Sequence, residues 1–199
     1  MQTLFKILEG SEHLFQRYGI KSITMDDVAR ELGMSKKTLY QYVTDKNDLV
    51  EKTLEFHLQR SRHACEMMIE EMDNPIDSML GIGNFFSQHM RDTSPALMYD
   101  LRKYHQSAWQ KLDEYRENCI IKQIAKNIEK GIADGYYRSD INIEIVPRLY
   151  VAMVDAVLER RNFNRDTPRF EDLVNELYSL YLHGIVTPKG LEYLKQKNF

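Results

Sequence analysis

The sequence predicts an all-α protein, and three observations support this prediction. Apolar residues recur in most long segments with the helical period of about 3.6 residues, and no segment alternates convincingly as a strand would. Only nine Gly and five Pro occur among the 199 residues, which disfavours a loop-rich all-β fold. Ten Met, together with abundant Leu, Lys and Glu, favour helices over strands.

The first helix is expected over Thr3–Tyr18 and ends at Gly19, which can adopt the left-handed conformation of a helix C-cap. The second helix covers Met25–Leu32 and is capped by Thr24. Gly33 ends this helix and begins a short turn.

The third helix begins after that turn. Ser35 caps it, and it is expected to extend from Lys36 to about Val43. Thr44 or Asp45 caps a fourth helix, which has no Gly or Pro in its interior.

The rest of the chain is expected to be helical as well, with boundaries at Pro, Gly and capping residues. The fourth helix is expected over Lys46–Glu71. The remaining predicted helices are Ile76–Met90, one opened by Pro95, Ala108–Ala133, Ile143–Arg161, Arg169–Ile185 and a short one around Leu191–Lys195.

Composition excludes several classes of protein. Hydrophobic residues make up 43% and charged residues 29%, as in an ordinary soluble globular chain. Two cysteines, Cys65 and Cys119, cannot form a disulfide framework and indicate a reducing compartment. No signal peptide is evident, and the longest apolar stretch, 149–158, is far shorter than the roughly 20 residues of a membrane span. We therefore expect a cytoplasmic protein without a membrane partner.

The net charge of −3 does not by itself suggest a nucleic-acid partner. Residues 1–50 carry seven basic and seven acidic side chains, so this segment is neutral too. A nucleic-acid function therefore has to depend on a local basic surface and a specific motif.

The two short helices between Thr24 and Val43 carry the most specific information. Helices joined by such a short turn form either a plain αα-hairpin or a DNA-binding helix-turn-helix. Ala29 is small enough for the third helix to cross closely over the second, and Gly33 fits a turn that a Cβ would strain. The residues expected to face inward are Val28, Leu32, Leu39 and Val43.

The outer face of the third helix presents polar side chains suited to DNA. Lys36 and Tyr40 lie four positions apart, and so do Lys37 and Gln41. Their ammonium, phenol and amide groups can reach phosphates or base edges. Residues 35–46 contain three Lys and one Asp, which gives a local charge of +2. The alternative is a structural hairpin whose lysines are merely solvated.

A long ordered set of residues extends from the first helix into the fourth. It comprises Ile7-Leu8-Glu9, Leu14-Phe15, Tyr18-Gly19-Ile20, Thr24-Met25-Asp26-Asp27-Val28-Ala29, Gly33-Met34-Ser35-Lys36-Lys37-Thr38-Leu39-Tyr40-Gln41-Tyr42-Val43, Lys46 and Asp48-Leu49. This set resembles the DNA-binding module of the TetR family of bacterial transcriptional regulators. The resemblance is close over residues 1–50, and beyond them it is limited to length and helical layout.

The resemblance implies a homodimer. A helix-turn-helix DNA-binding domain would span residues 1–47, and a helical ligand-sensing and dimerisation domain would span 48–199. The third helix would enter the major groove of a double-stranded DNA operator, and the last two long helices would pair with their twins in a four-helix bundle. A small-molecule effector bound among the middle helices would usually release the DNA.

The resemblance also assigns roles by position. Thr24, Tyr42 and Lys46 would contact phosphates. The residues of the third helix assigned to the same DNA-binding surface are Ser35, Lys36, Lys37, Thr38, Tyr40 and Gln41. Two positions depart from the family pattern, because Lys37 stands where a small residue is frequent and Val43 stands where Phe is usual.

The effector is predicted to be largely apolar or aromatic, since no cluster of Arg or carboxylates marks a charged ligand. Methionine adapts to irregular space, and aromatic residues with polar tips can donate hydrogen bonds from an apolar wall. The residues predicted to line its site are Phe86, His89, Met98, Tyr99, His105, Trp109 and Met153. Ordinary core packing is the alternative for each of them.

The late helices are predicted to form the dimer interface. Both carry wide apolar faces, and a symmetric protein that binds two half-sites needs such an interface. The residues are Val146, Leu149, Tyr150, Met153, Val154 and Val157 on the first, and Leu173, Val174, Leu177, Tyr178, Leu180, Tyr181 and Leu182 on the second. Burial within one subunit is the alternative.

Catalysis is not expected, and neither is a metal site or a cofactor. The six His are scattered, and no HExxH, paired CxxC, Gly-rich phosphate loop or nucleophile elbow occurs. The resemblance therefore implies a ligand-responsive transcriptional regulator, most often a repressor in this family. Two alternatives stay open: a helical small-molecule enzyme or carrier whose N-terminal module does not bind DNA, and an activator.

Overall fold

The computed structural model describes residues 2–159 and 169–199. Within these ranges every regular element is a helix, apart from an isolated antiparallel bridge between Tyr137 and Val186. The all-α prediction is confirmed. The helices are α1 (Gln2–Tyr18), α2 (Met25–Glu31), α3 (Lys36–Leu39), α4 (Lys46–Glu71), α5 (Pro75–Met90), α6 (Ala96–Tyr104), α7 (Gln106–Tyr115), α8 (Ile121–Ala133), α9 (Val146–Glu159), α10 (Phe170–Ile185) and α11 (Pro188–Gln196).

The chain divides into two compact units. The first unit contains residues up to Arg62 together with Asp92–Tyr115, and its helix contacts join α1 to α2 and α6, α2 to α3, and α6 to α7. Gly10 permits the close approach of α1 and α2, because a Cβ at this position would lie 2.3 Å from Leu32 Cδ2. The core of the first unit includes Ile7, Phe15, Ile20, Val28, Leu39, Leu49, Val50, Met98 and Leu101.

The second unit contains His63–Arg91 and Arg116–Phe199. Here α5 packs on α8 and α10, and α9 packs on the same two helices. Gly83 on α5 allows the Tyr178 ring to approach closely, since a Cβ at this position would lie 2.9 Å from the ring. Buried residues at the centre of this core include Ile76, Met79, Ile128, Tyr150, Tyr178 and Leu182.

The predicted third helix is too long. Regular helix ends at Leu39, and the chain continues in tight turns in which Gln41 N donates to Thr38 O at 3.2 Å and Tyr42 N donates to Leu39 O at 3.0 Å. These three-residue bonds close the end of α3, and Asp45 Oδ1 then accepts from Asp48 N at 2.9 Å to begin α4. The helix cap is therefore Asp45 rather than Thr44.

Two later boundaries also differ from the prediction. The expected helix Ala108–Ala133 is α7 and α8 joined by a π-helical turn, Arg116–Ile120, at which Arg116 donates to Asp155 at 2.6 Å. The helix expected from Ile143 begins at Val146, since the Asn142 side chain accepts from the backbone of residues 144 and 145 in a turn. The predicted end at Arg161 lies outside the described residues.

Candidate DNA-binding surface

A capping box fixes the start of α2. Thr24 Oγ1 accepts from Asp27 N at 3.2 Å, and the Asp27 carboxylate accepts from Thr24 N at 2.9 Å. The hydrogen bonds from the Thr24 side chain and backbone lower the pKa of Asp27. Its negative charge then lies beside the positive end of the helix dipole and pairs with Arg30. The predicted cap at Thr24 is thus present.

The turn between α2 and α3 requires a left-handed residue. Gly33 has φ +63°, and Met34 N donates to Ala29 O at 2.9 Å in the bond that closes the end of α2. Ser35 then caps α3, because its Oγ accepts from Thr38 N at 3.1 Å. The Ser35 and Thr38 hydroxyl oxygens are 2.9 Å apart, so these two predicted DNA contacts also make local bonds.

The inner side of the helix pair is fully packed. Leu39 is 0% exposed and Val43 is 2% exposed, so the small Val43 side chain is packed as well. Val28 and Ala29 on α2 are buried as well. Burial of these side chains holds α3 in one rotational setting, which determines the residues that it turns outward.

The outward side of α3 and the following turn carries three exposed side chains. Lys37, Tyr40 and Gln41 make no side-chain hydrogen bond or ion pair to another residue within 2–159 and 169–199. Tyr40 is 47% exposed, a large fraction for an aromatic residue on a folded unit. The ammonium, phenol and amide groups of these three residues can therefore bind a partner that supplies hydrogen-bond acceptors.

Lys36 is exposed too, but it is paired. Its Nζ lies 2.6 Å from Asp26 Oδ1 on α2. No helical or turn spacing connects positions 26 and 36, so sequence reasoning missed this pair. The ion pair is solvent-exposed and therefore weak, and a phosphate can compete for the ammonium group.

Tyr42 and Lys46 are half-buried at the start of α4. The Tyr42 carbonyl accepts from Lys52 Nζ at 2.9 Å, which fixes the turn that leads into α4. Partial burial lowers the pKa of Lys46, and the charges of Asp100 and Asp27 oppose this shift. The Lys46 ammonium group thus interacts electrostatically with Asp100 on α6 and Asp27 on α2.

Asp100 and His105 both interact electrostatically with Lys46. Desolvation lowers the pKa of His105, and the nearby positive charge of Lys46 lowers it further, while Asp100 raises it. The His105 Nδ1 atom is buried and has no hydrogen-bond partner in the described part of the chain. Sequence reasoning predicted His105 only as a ligand contact. It missed the proximity of His105 to Lys46, because packing of α6 creates that proximity.

The residues predicted to line an effector site lie in both units. In the first unit Met98 is buried, His105 and Trp109 are half-buried, and Tyr99 is exposed and accepts from Lys103 Nζ at 2.6 Å. In the second unit Phe86 packs at 5.7 Å from the Phe170 ring, Met153 is partly buried, and His89 is exposed beside the Phe85 carbonyl. Their role in ligand binding stays a prediction.

The apolar faces of α9 and α10 are only partly covered. Tyr150, Val157, Val174, Leu177, Tyr178, Tyr181 and Leu182 are buried within the second unit. Leu149 on α9 and Leu180 on α10 are 56% and 64% exposed, and Ile145 before α9 is exposed as well. The described residues contain no helix with both the length and the apolar character needed to cross a membrane.

Known proteins resemble this chain in its N-terminal helices and over most of its length. Residues 7–53 match the sequence profile "Bacterial regulatory proteins, tetR family". The uncharacterized HTH-type transcriptional regulator YvaF of Bacillus subtilis is 32% identical over 159 residues, which cover 77% of this chain and 80% of YvaF. The HTH-type transcriptional repressor KstR2 of Mycolicibacterium smegmatis is 23% identical over 147 residues, covering 72% of this chain and 71% of KstR2.

Solved structures share the fold over nearly the whole chain. The crystal structure of a proposed transcriptional regulator from Saccharomonospora viridis in complex with choline superposes with a TM-score of 0.80 at 16% identity. The superposition covers 94% of this chain and 98% of that one.

Proposed function

This chain belongs to the TetR family of bacterial transcriptional regulators, and we propose that it is a repressor that binds a palindromic operator as a homodimer and leaves it when a small, largely apolar effector binds. Its relatives are transcriptional regulators, and this chain is likewise a regulator rather than an enzyme. The KstR2 relative is named a repressor, which supports repression here.

Lys37, Tyr40 and Gln41 carry the proposal, because all three are exposed and none has a side-chain partner among the described residues. These side chains project from α3 and the turn that follows it, and Leu39 and Val43 hold the opposite side, so the three groups are presented in one orientation. A lysine can bind guanine O6 and N7 or a phosphate, and an amide can bind adenine N6 and N7. Insertion of α3 into the major groove would use the three groups together.

Dimerisation would follow from the exposed apolar residues of α9 and α10. Leu149 and Leu180 are large side chains left in water, and a two-fold interface would bury the same patch on both subunits. To bind on one face of the duplex, such a dimer would need its two α3 helices at half-sites about 34–36 Å apart.

Release by an effector would use α4 as the mechanical link. This helix is continuous from Lys46 to Glu71, and the proposed mechanism requires that a tilt imposed at one end be transmitted to the other. An effector acts in this way only if it prefers the DNA-incompetent state, and DNA must then weaken effector binding by the same factor. A screen of apolar compounds by thermal shift, repeated with operator present, tests both statements.

Salt-dependent DNA binding by a Lys37→Ala variant is the main test. Operators are first selected from a random-sequence pool with the full chain, and the dissociation constant is then measured by gel retardation at several salt concentrations. We expect Lys37→Ala to weaken binding by about fivefold to 150-fold at low salt, as each good contact contributes about 1–3 kcal/mol. Base preference near the contacted position should relax if Lys37 binds a base.

Lys111→Ala serves as the matched control. Lys111 is paired with Glu51 and Glu55 in the same unit, so its removal should leave affinity unchanged. Failure of the wild-type chain to select any duplex at low salt would contradict DNA binding. A Leu180→Asp variant that stays dimeric by light scattering would contradict the proposed interface.

A further inference from the structure

A patch of tyrosines and lysines lies at the end of α6, outside the surface described above. It consists of Lys21, Tyr99, Lys103 and Tyr104 and is called the α6 patch. Lys21 belongs to the loop that precedes α2, whereas the other three residues lie on α6. All four side chains are exposed.

Hydrogen bonds and cation–π contacts join these four side chains. Lys21 Nζ lies 5.0 Å from the Tyr104 ring centroid and donates to Tyr104 Oη at 3.2 Å. Lys103 Nζ lies 5.4 Å from the same ring and donates to Tyr99 Oη at 2.6 Å. The two tyrosine rings meet edge to face at 6.3 Å. Both ammonium groups are therefore gathered on one tyrosine ring.

The ammonium groups of the α6 patch have no ion-pair partner among the described residues. Neither Lys21 nor Lys103 has its ammonium group within ion-pair distance of a carboxylate in the described ranges, whereas Lys36 and Lys111 do. The hydrogen bond from Lys21 lowers the pKa of Tyr104, which makes this phenol a better hydrogen-bond donor. Two ammonium groups that lack an ion-pair partner in the described ranges, beside such a donor, match the groups that bind phosphate oxygens.

The α6 patch lies next to the start of α2. Lys21 precedes Thr24 by three residues, a segment that spans at most about 10 Å. Ile23 N donates to Ile20 O at 3.2 Å, so the loop is turned and the actual separation is shorter. Asp100 accepts from Lys21 N at 2.8 Å and holds this loop against α6. A duplex carries one charge per about 1.7 Å of its axis, so DNA at Thr24 presents further phosphates within this reach.

We propose that the α6 patch binds the DNA backbone, with Lys21 and Lys103 each contacting a phosphate and Tyr104 donating a hydrogen bond to a phosphate oxygen. This inference rests on the proposed function, since it places Thr24 at the DNA. It extends the DNA contact to α6, which lies beyond residue 47. Contacts of this kind add affinity and fix orientation without selecting a sequence.

The test measures DNA binding by a Lys21→Ala/Lys103→Ala double variant of the full chain on the selected operator. Each lost phosphate contact reduces the slope of log K against log salt concentration by about 0.9. We expect the slope to fall by about 1.8 per half-site, with base preference unchanged. A Lys21→Arg/Lys103→Arg variant should keep the wild-type slope, and Tyr104→Phe should weaken binding without changing the slope.

Lys111→Ala and thermal unfolding are the controls for nonspecific charge effects and for folding. The proposal is overturned if the double variant keeps the wild-type salt slope while Lys37→Ala loses affinity. In that case the DNA contact would involve α3 but not the α6 patch. If the wild-type chain binds no duplex, the proposed function and this inference fail together. A changed base preference in the double variant would also contradict a pure backbone contact.

Discussion

The Asp100 carboxylate accepts the backbone N–H of Lys21 at 2.8 Å, across 79 positions of sequence. Asp100 is only 4% exposed, and the Gly19–Ser22 loop passes directly over it. A Cβ at Gly19 would lie 3.1 Å from Asp100 Oδ2. The loop that leads into α2 is thus positioned by a buried acidic side chain on α6.

Removal of this carboxylate should destabilise the first unit. We expect Asp100→Ala to lower the free energy of unfolding by about 1.5–3 kcal/mol, the range for a hydrogen bond to a charged group. Asp100→Asn should cost less, because an amide oxygen still accepts from Lys21 N. Urea unfolding of both variants measures the difference. Equal stability of Asp100→Ala and the wild type would show that the bond contributes nothing.

The turn before α3 should tolerate only some residues at position 33. Gly33 has φ +63°, and an added Cβ would meet no atom within 4 Å, so the effect of Gly33→Ala comes from backbone strain alone. We expect a loss of about 1–2 kcal/mol in unfolding free energy. Gly33→Asn should lose less, because Asn visits the left-handed region more readily. Chemical denaturation that ranks Ala at or above Asn would contradict this explanation.

Two buried tyrosines should respond oppositely to loss of their hydroxyls. The Tyr181 hydroxyl is buried and has no hydrogen-bond partner in the described ranges, whereas Tyr137 Oη donates to Asn127 Oδ1 at 3.2 Å. Tyr181→Phe should leave stability unchanged or raise it by up to about 1 kcal/mol, since an unsatisfied polar group is removed. Tyr137→Phe should lower stability by about 1 kcal/mol or more. Thermal or urea unfolding of the pair checks the contrast.

Stability should fall when the pH drops below the ordinary pKa of histidine. The folded-state pKa of His105 is lowered by desolvation and by Lys46, so on acidification the unfolded chain takes up this proton first. The contribution of neutral His105 is complete above about pH 6.5 and is lost as the pH falls towards its folded pKa.

His105→Asn should flatten the pH dependence of unfolding free energy between about pH 7 and pH 5. His183→Asn is the matched control, because His183 is exposed on α10 and lies in the second unit. Urea unfolding across this pH range would contradict the assignment if both variants kept the wild-type profile.

Local signals in the sequence determined most of the helix boundaries and the inward side of the helix-turn-helix. Thr24 and Ser35 cap their helices within three residues, and Gly19 and Gly33 adopt the left-handed conformation as expected. Helical periodicity alone identified Val28, Leu32 and Leu39 as buried. Such features depend on hydrogen bonds and sterics within one or two turns, so the sequence of those few residues is sufficient to specify them.

Only the tertiary structure decided which side chains of the candidate surface are free to bind DNA. Lys36 is paired with Asp26, Lys46 lies near His105, and Lys21 is carried by a loop bonded to Asp100. Packing of α6 on α1 and of α3 on α2 creates these proximities between residues distant in sequence. Their energies depend on separation and burial in three dimensions, and neither quantity is encoded by spacing along the chain.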